Sequence, residues 1–113
     1  MFNKIEIQTD SLIAISYAEN GNIPVCVAEI GKIEEPNKFY FHRLFVKKEY
    51  RNKGWATKLM EELTTKCDER GIEVLLEINP YTDEIDYQQL ESFYKKFGFE
   101  KVGDHYIRKP RTN

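Results

Sequence analysis

The repeat of apolar residues changes once, near the middle of the chain, and that change limits the folds available. Up to residue 46 the apolar positions alternate or run in short branched and aromatic stretches, the pattern of strands. From Trp55 the apolar residues Ala56, Leu59, Met60, Leu63 and Cys67 fall at helical spacing, and Gly71 follows as a stop. Residues 73–78 then read as a strand, Val74 and Ile78 flanking Leu75-Leu76. Strand, helix and strand in succession form a right-handed crossover, which sets two parallel strands in one sheet. A chain of 113 residues has room for one such unit and a few further strands, so residues 1–113 are expected to be a single domain.

The other elements follow from local signals. Residues 4–8 and 12–18 read as strands, and Glu19-Asn20-Gly21-Asn22 turns the second into a third at 24–33. Glu34-Glu35-Pro36-Asn37 is a further turn, and residues 39–46, rich in aromatic and branched side chains, suit a central strand. Beyond a polar loop that begins at Asn79-Pro80, Leu90, Phe93, Tyr94 and Phe97 mark a second helix, which Asp86 can cap and Gly98 can end. Residues 99–102 and 106–108 form a closing hairpin through Gly103-Asp104. The class is α+β, with one mixed, mostly antiparallel sheet of about six to seven strands and two main helices.

Composition narrows the function. The formal charge of -2 gives no global attraction to nucleic acid or anionic membrane, so nucleic acid is not an expected partner. Cys26 and Cys67 lack the paired spacing of a zinc site or a disulfide framework; reduced, buried thiols, no metal and a cytoplasmic location are expected. No apolar stretch approaches the ~20 residues of a membrane helix, and the first ten residues lack the apolar core of a signal peptide.

The stretch Arg51-Asn52-Lys53-Gly54-Trp55-Ala56-Thr57 carries the chemistry. A helix N-terminus has unpaired N–H groups and about +0.5 charge, and a glycine lets a ligand approach the backbone, so a basic glycine-containing turn there suits a phosphate. Alone it is equally a solvated basic loop, and the Gly-Lys-Ser/Thr of a P-loop is absent.

Taken with Leu44-Phe45-Val46 and Tyr50 before it, the stretch resembles the acetyl-CoA motif of the GCN5-related N-acetyltransferase (GNAT) family, Gln/Arg-x-x-Gly-x-Gly/Ala. Phe93-Tyr94-Lys95-Lys96-Phe97-Gly98-Phe99 resembles that family's closing-helix signature. The resemblance implies an N-acetyltransferase that uses acetyl-CoA as cosubstrate. It puts the pyrophosphate on the backbone of Arg51, Asn52, Lys53, Gly54, Trp55 and Ala56, with the Thr57 hydroxyl as a further donor. The backbone of Leu44, Phe45 and Val46 would meet the pantetheine arm, with the Leu44 N–H as oxyanion donor, a role worth about 2.7–4 kcal/mol in acyl transfer. A lysine amine at pH 7 is about 3.4 pK units from its neutral form, a cost of ~4.6 kcal/mol, so a base, or a site that depresses the amine's pKa, is expected. Glu77 and His42 both match positions of bases in family members. Tyr94 matches the tyrosine that protonates the departing thiolate. Trp55 fills a variable slot, and its side chain either covers the cofactor or packs beneath the helix.

Two departures stand out. Where the family places an asparagine near the start of the last helix this chain has Asp86, so either Asp86 or Asn79 would contact the pantetheine arm. The helix pair that members carry between their first two strands is missing, because only a few polar residues separate Ile7 from Leu12. The segment Lys4–Ala18 thereby resembles the helix-free start of very small phage-borne members. An open acceptor side implies a protein amine, a lysine or a chain terminus, as acceptor; alternatively a partner or second copy, as in a homodimer, supplies the wall. The competing reading is an inactive binding or inhibitory module built on the same fold, with or without CoA.

Overall fold

The computed structural model describes residues 2–21, 23–78 and 87–111. Its seven strands form one sheet in the order β1-β2-β3-β4-β5-β7-β6. They are β1 (Phe2–Gln8), β2 (Leu12–Glu19), β3 (Pro24–Lys32), β4 (Lys38–Val46), β5 (Glu73–Leu76), β6 (Glu100–Val102) and β7 (His105–Arg108). The helices are α1 (Trp55–Arg70) and α2 (Tyr87–Lys95), and a 3-10 turn at Lys48–Tyr50 precedes α1. Every expected element is present, with ends shifted by a residue or two. The strand expected to run to Ile78 stops at Leu76.

β1 to β4 pair antiparallel in sequence order, and β4 and β5 are parallel, as the crossover requires. That parallel pairing is short: Lys38, Phe39 and Tyr40 of β4 meet Glu73, Val74 and Leu75, and the pairing goes no further. Beyond Tyr40 no described strand pairs with that side of β4.

The core lies between the sheet and α1. Ile13 and Ile15 of β2, Cys26, Ala28 and Ile30 of β3, and Phe39 and Phe41 of β4 point from one face of the sheet toward Leu59, Met60, Leu63 and Cys67. Both cysteines are free and buried, as expected. Tyr94, Phe93 and Phe97 bring α2 to the same core, Tyr94 meeting Phe41 and Phe99 edge-on at 5.7 and 5.8 Å. Arg108, 3% exposed, holds the closing hairpin to α1 through a bidentate pair with Asp68 at 2.8 and 3.1 Å. The Arg111 N–H donates to the same carboxylate at 2.8 Å, and Arg108 Nε to the Phe97 carbonyl.

The opposite face carries the alternate residues: Ile5 and Ile7 of β1, Ala14 and Ser16 of β2, Val27, Glu29 and Gly31 of β3, and Tyr40, Arg43 and Phe45 of β4. Among the described residues both helices pack on the core face, and Ile5, Ile7 and Phe45 are exposed.

Candidate functional site

Three features meet at the C-terminal end of β4: the basic turn, the flank of β4 that no described strand pairs, and a row of titratable side chains on the face left open by the described residues.

The turn is built by left-handed backbone. Asn52 has φ 63° and Gly54 φ 87°, and Gly54 is the N-cap of α1. The first helical bond runs from the Lys58 N–H to the Gly54 carbonyl at 3.0 Å, so the Trp55, Ala56 and Thr57 N–H groups precede any intrahelical acceptor. The first turn of α1 carries no acidic residue, and Arg51, Lys53 and Lys58 surround it. A Cβ built on Gly54 meets nothing within 4 Å, so the loop is open above its backbone. These are the donors, charge and space that a diphosphate needs. Arg51 is tied to the strand end, its Nε donating to the Val46 carbonyl at 3.0 Å.

Trp55 packs beneath the helix. Its ring meets Phe2 of β1 at 4.7 Å and Tyr17 of β2 at 5.1 Å, and Phe2 also meets Tyr50 at 6.0 Å. The Tyr50 hydroxyl donates to the Glu19 carboxylate.

The flank of β4 depends on a bulge at His42. Ile30 of β3 faces Phe41 and Glu29 faces Arg43, so His42 has no opposite number. An extra residue reverses the alternation of peptide groups. Before the bulge odd residues bond toward β5, as the Glu73 N–H to the Asn37 carbonyl at 2.8 Å shows. After it odd residues bond toward β3, as the Lys47 N–H to the Val25 carbonyl at 2.8 Å shows. Leu44 and Val46 therefore turn their peptide groups toward the gap left by β5, where the Val46 carbonyl is already taken by Arg51 Nε, whereas Phe45 bonds to β3 and its ring, 44% exposed, stands on the open face.

His42 stands on that open face, where Nδ1 lies 3.0 Å from Glu29 Oε2. Its ring is 6.2 Å from that of Tyr40, whose phenol burial and hydrogen bonding to Glu77 push up. Glu77, exposed, follows Leu76 of β5. Glu29 of β3, His42 and Tyr40 of β4, and Glu77 just past β5 thus follow one another in a row. Tyr94 lies on the other side of the sheet, 8% exposed beside Phe41, and burial pushes its phenol up to about 12. The sequence reading of the site missed Glu29 and Gly31. A glycine inside a strand marks a bulge or a close approach, so Gly31 was a usable signal.

Asn79 and Asp86, both expected to approach the pantetheine arm, lie outside the described residues. Among the described residues no group of three or more His, Cys, Asp or Glu could hold a metal ion. No helix of these residues is long and apolar enough to cross a membrane. Arg108, the first basic residue of Arg108-Lys109-Pro110-Arg111, is engaged by Asp68 and is not part of an open cationic surface.

The chain matches the family described as acetyltransferase (GNAT) domain over residues 4–110. Among curated proteins no sequence matches it. Solved structures share its fold. A GNAT-family acetyltransferase from Staphylococcus aureus Mu50 superposes with a TM-score of 0.68 at 21% identity, covering 88% of this chain and 68% of that one. The ribosomal-protein-S18-alanine N-acetyltransferase of Escherichia coli gives 0.71 at 16% identity, covering 94% and 74%. The PaiA N-acetyltransferase of Thermoplasma acidophilum, in complex with coenzyme A, gives 0.63 at 23% identity, covering 90% and 62%.

Proposed function

The chain belongs to the GNAT acetyltransferase family, and from that membership we propose that it is an N-acetyltransferase moving the acetyl group of acetyl-CoA to an amine of a protein. The observation that carries the proposal is the succession of two cofactor-sized features: the Leu44 peptide groups and the Val46 N–H, aimed into the gap beside β5, are followed after the Lys48–Tyr50 turn by the amide-bearing turn at 51–57. An extended pantetheine arm would add to β4 as a short strand does, and its pyrophosphate would reach the α1 N-terminus.

On this reading the Leu44 N–H stabilises the oxyanion that forms when the amine attacks the thioester carbonyl. The acceptor approaches from the uncovered face, where His42 and Glu77 stand; Tyr94, on the core face beside Phe41, donates toward the departing sulfur. Base and acid then act from opposite sides of the sheet, so neither blocks the other. His42 is the better placed base, because Glu77 is already engaged with Tyr40 and His42 sits two residues, roughly 6–7 Å along the strand, from Leu44. The open face suits a lysine or chain terminus on a folded protein, since a small free amine would have no wall to hold it.

Calorimetric titration with acetyl-CoA tests the core of the proposal, and mass spectrometry of a lysate given enzyme and labelled acetyl-CoA tests the acceptor. Binding at micromolar cofactor and transfer of label to protein amines are expected. Absence of binding at high micromolar cofactor would end the proposal.

A further inference from the structure

We infer that Glu29 and Gly31 are positioning residues for His42: together they fix which ring nitrogen carries the proton and where the other one points. The inference rests on the proposed role of His42 as base, and neither residue was singled out by the acetyltransferase motifs.

Glu29 acts through its carboxylate. An ionised carboxylate only accepts hydrogen bonds, so the 3.0 Å contact requires a proton on Nδ1 of the imidazole. In the neutral ring Nε2 is then the lone-pair nitrogen. When Nε2 takes a proton from the acceptor ammonium, the ring becomes an imidazolium with both nitrogens protonated, the amine is left neutral to attack, and the Glu29 carboxylate faces the new charge. No further reactant is needed.

Gly31 acts through the side chain it lacks. A Cβ there would lie 2.3 Å from His42 Cε1 and 2.6 Å from Nε2, so the imidazole rests on the bare backbone of β3. Gly31 is not among the residues of positive φ, so backbone conformation does not demand a glycine. Glycine weakens a strand interior and leaves nothing to pack; here the Cε1–Nε2 edge of the His42 ring occupies that space. What Ala would strike is a movable ring rather than backbone, so Gly31→Ala should leave the fold intact and turn only the imidazole.

The test uses the full chain with Gly31→Ala and Glu29→Gln, read in two ways. Long-range 1H–15N correlation spectra report the His42 tautomer without any need for an acceptor. The wild type should show the Nδ1–H form, and Glu29→Gln should shift the ring toward Nε2–H. Turnover of acetyl-CoA with poly-L-lysine should fall about 10²-fold in kcat for Gly31→Ala, the scale of a misplaced reacting group, with KM for acetyl-CoA unchanged and a melting temperature equal to or above the wild type. An Nε2–H ring in the wild type, or a Gly31→Ala enzyme with unchanged kcat, overturns the inference. His42→Ala separates the two levels: full activity in that variant defeats the role of His42 as base, while the tautomer still decides the seat.

Discussion

Gly54 and Gly71 stand at the two ends of α1 in nearly the same backbone conformation, φ 87° and φ 65°, and a Cβ on either meets nothing within 4 Å. Replacing each by alanine therefore costs only the left-handed penalty of an L-residue, about 1–2 kcal/mol. With an unfolding entropy of ~2.1 cal/mol/K per residue, a 113-residue chain has about 240 cal/mol/K, so each variant should melt roughly 4–8 °C below the wild type. The two part company at the cofactor. Relief of strain at Gly54 rotates the peptide that aims the Trp55 and Ala56 amides, and losing one hydrogen bond to a charged phosphate costs about 1.5–3 kcal/mol. Gly54→Ala should then weaken acetyl-CoA by about 10- to 150-fold, at 1.4 kcal/mol per tenfold, and Gly71→Ala should leave affinity unchanged. Thermal melts and calorimetric titration measure both quantities. Equal loss of affinity in the two variants, or none in Gly54→Ala, refutes the assignment of the turn.

Tyr94→Phe should lower kcat by about 10²–10⁴-fold with little change in KM for acetyl-CoA; because burial holds the phenol near 12, it stays protonated below about pH 11, so the deficit should be flat between pH 7 and 10 in steady-state assays. Asp68→Ala strands the buried Arg108 and should cost about 3–5 kcal/mol, lowering the melting temperature by more than about 10 °C in calorimetry. Arg108 holds the Asp68 carboxyl below the usual range, so the stability it contributes is complete above the unfolded carboxyl's pKa of about 3.9 and is lost as pH falls through the lower folded value. Asp68→Asn should flatten that part of the acid-unfolding curve. Arg51→Ala should weaken acetyl-CoA severalfold and loosen the end of β4, visible as faster amide exchange near Val46.

Punctuation made the elements legible. Asn20, Asn37, Gly71, Gly98 and Gly103, all with positive φ, mark turns or ends where the sequence placed them. The α1 stripe of Ala56, Leu59, Met60, Leu63 and Cys67 was legible because burial of one helix face enforces periodicity. The bulge at His42 did not show, since a bulge is a mismatch between two strands and neither strand displays it alone. The direction in which Leu44 and Val46 present their peptide groups was hidden for the same reason. The pairing of Asp68 with Arg108 spans forty residues and depends on how the closing hairpin crosses α1. The ring of Trp55 could be placed only once Phe2 was known to return beside it.

That return ties two distant segments into one equilibrium. Trp55 is the first residue of α1, and its ring is half of the contact that seats Phe2 at the edge of the sheet. Any ligand that stiffens the α1 N-terminus must also favour the docked state of β1, and by reciprocity a β1 that peels away must release that ligand. Protection of the β1 amides against exchange should rise on acetyl-CoA binding, although no part of β1 lies in the proposed cofactor path. In a protein this small, the strand furthest from the chemistry serves as a gauge of whether the cofactor is bound.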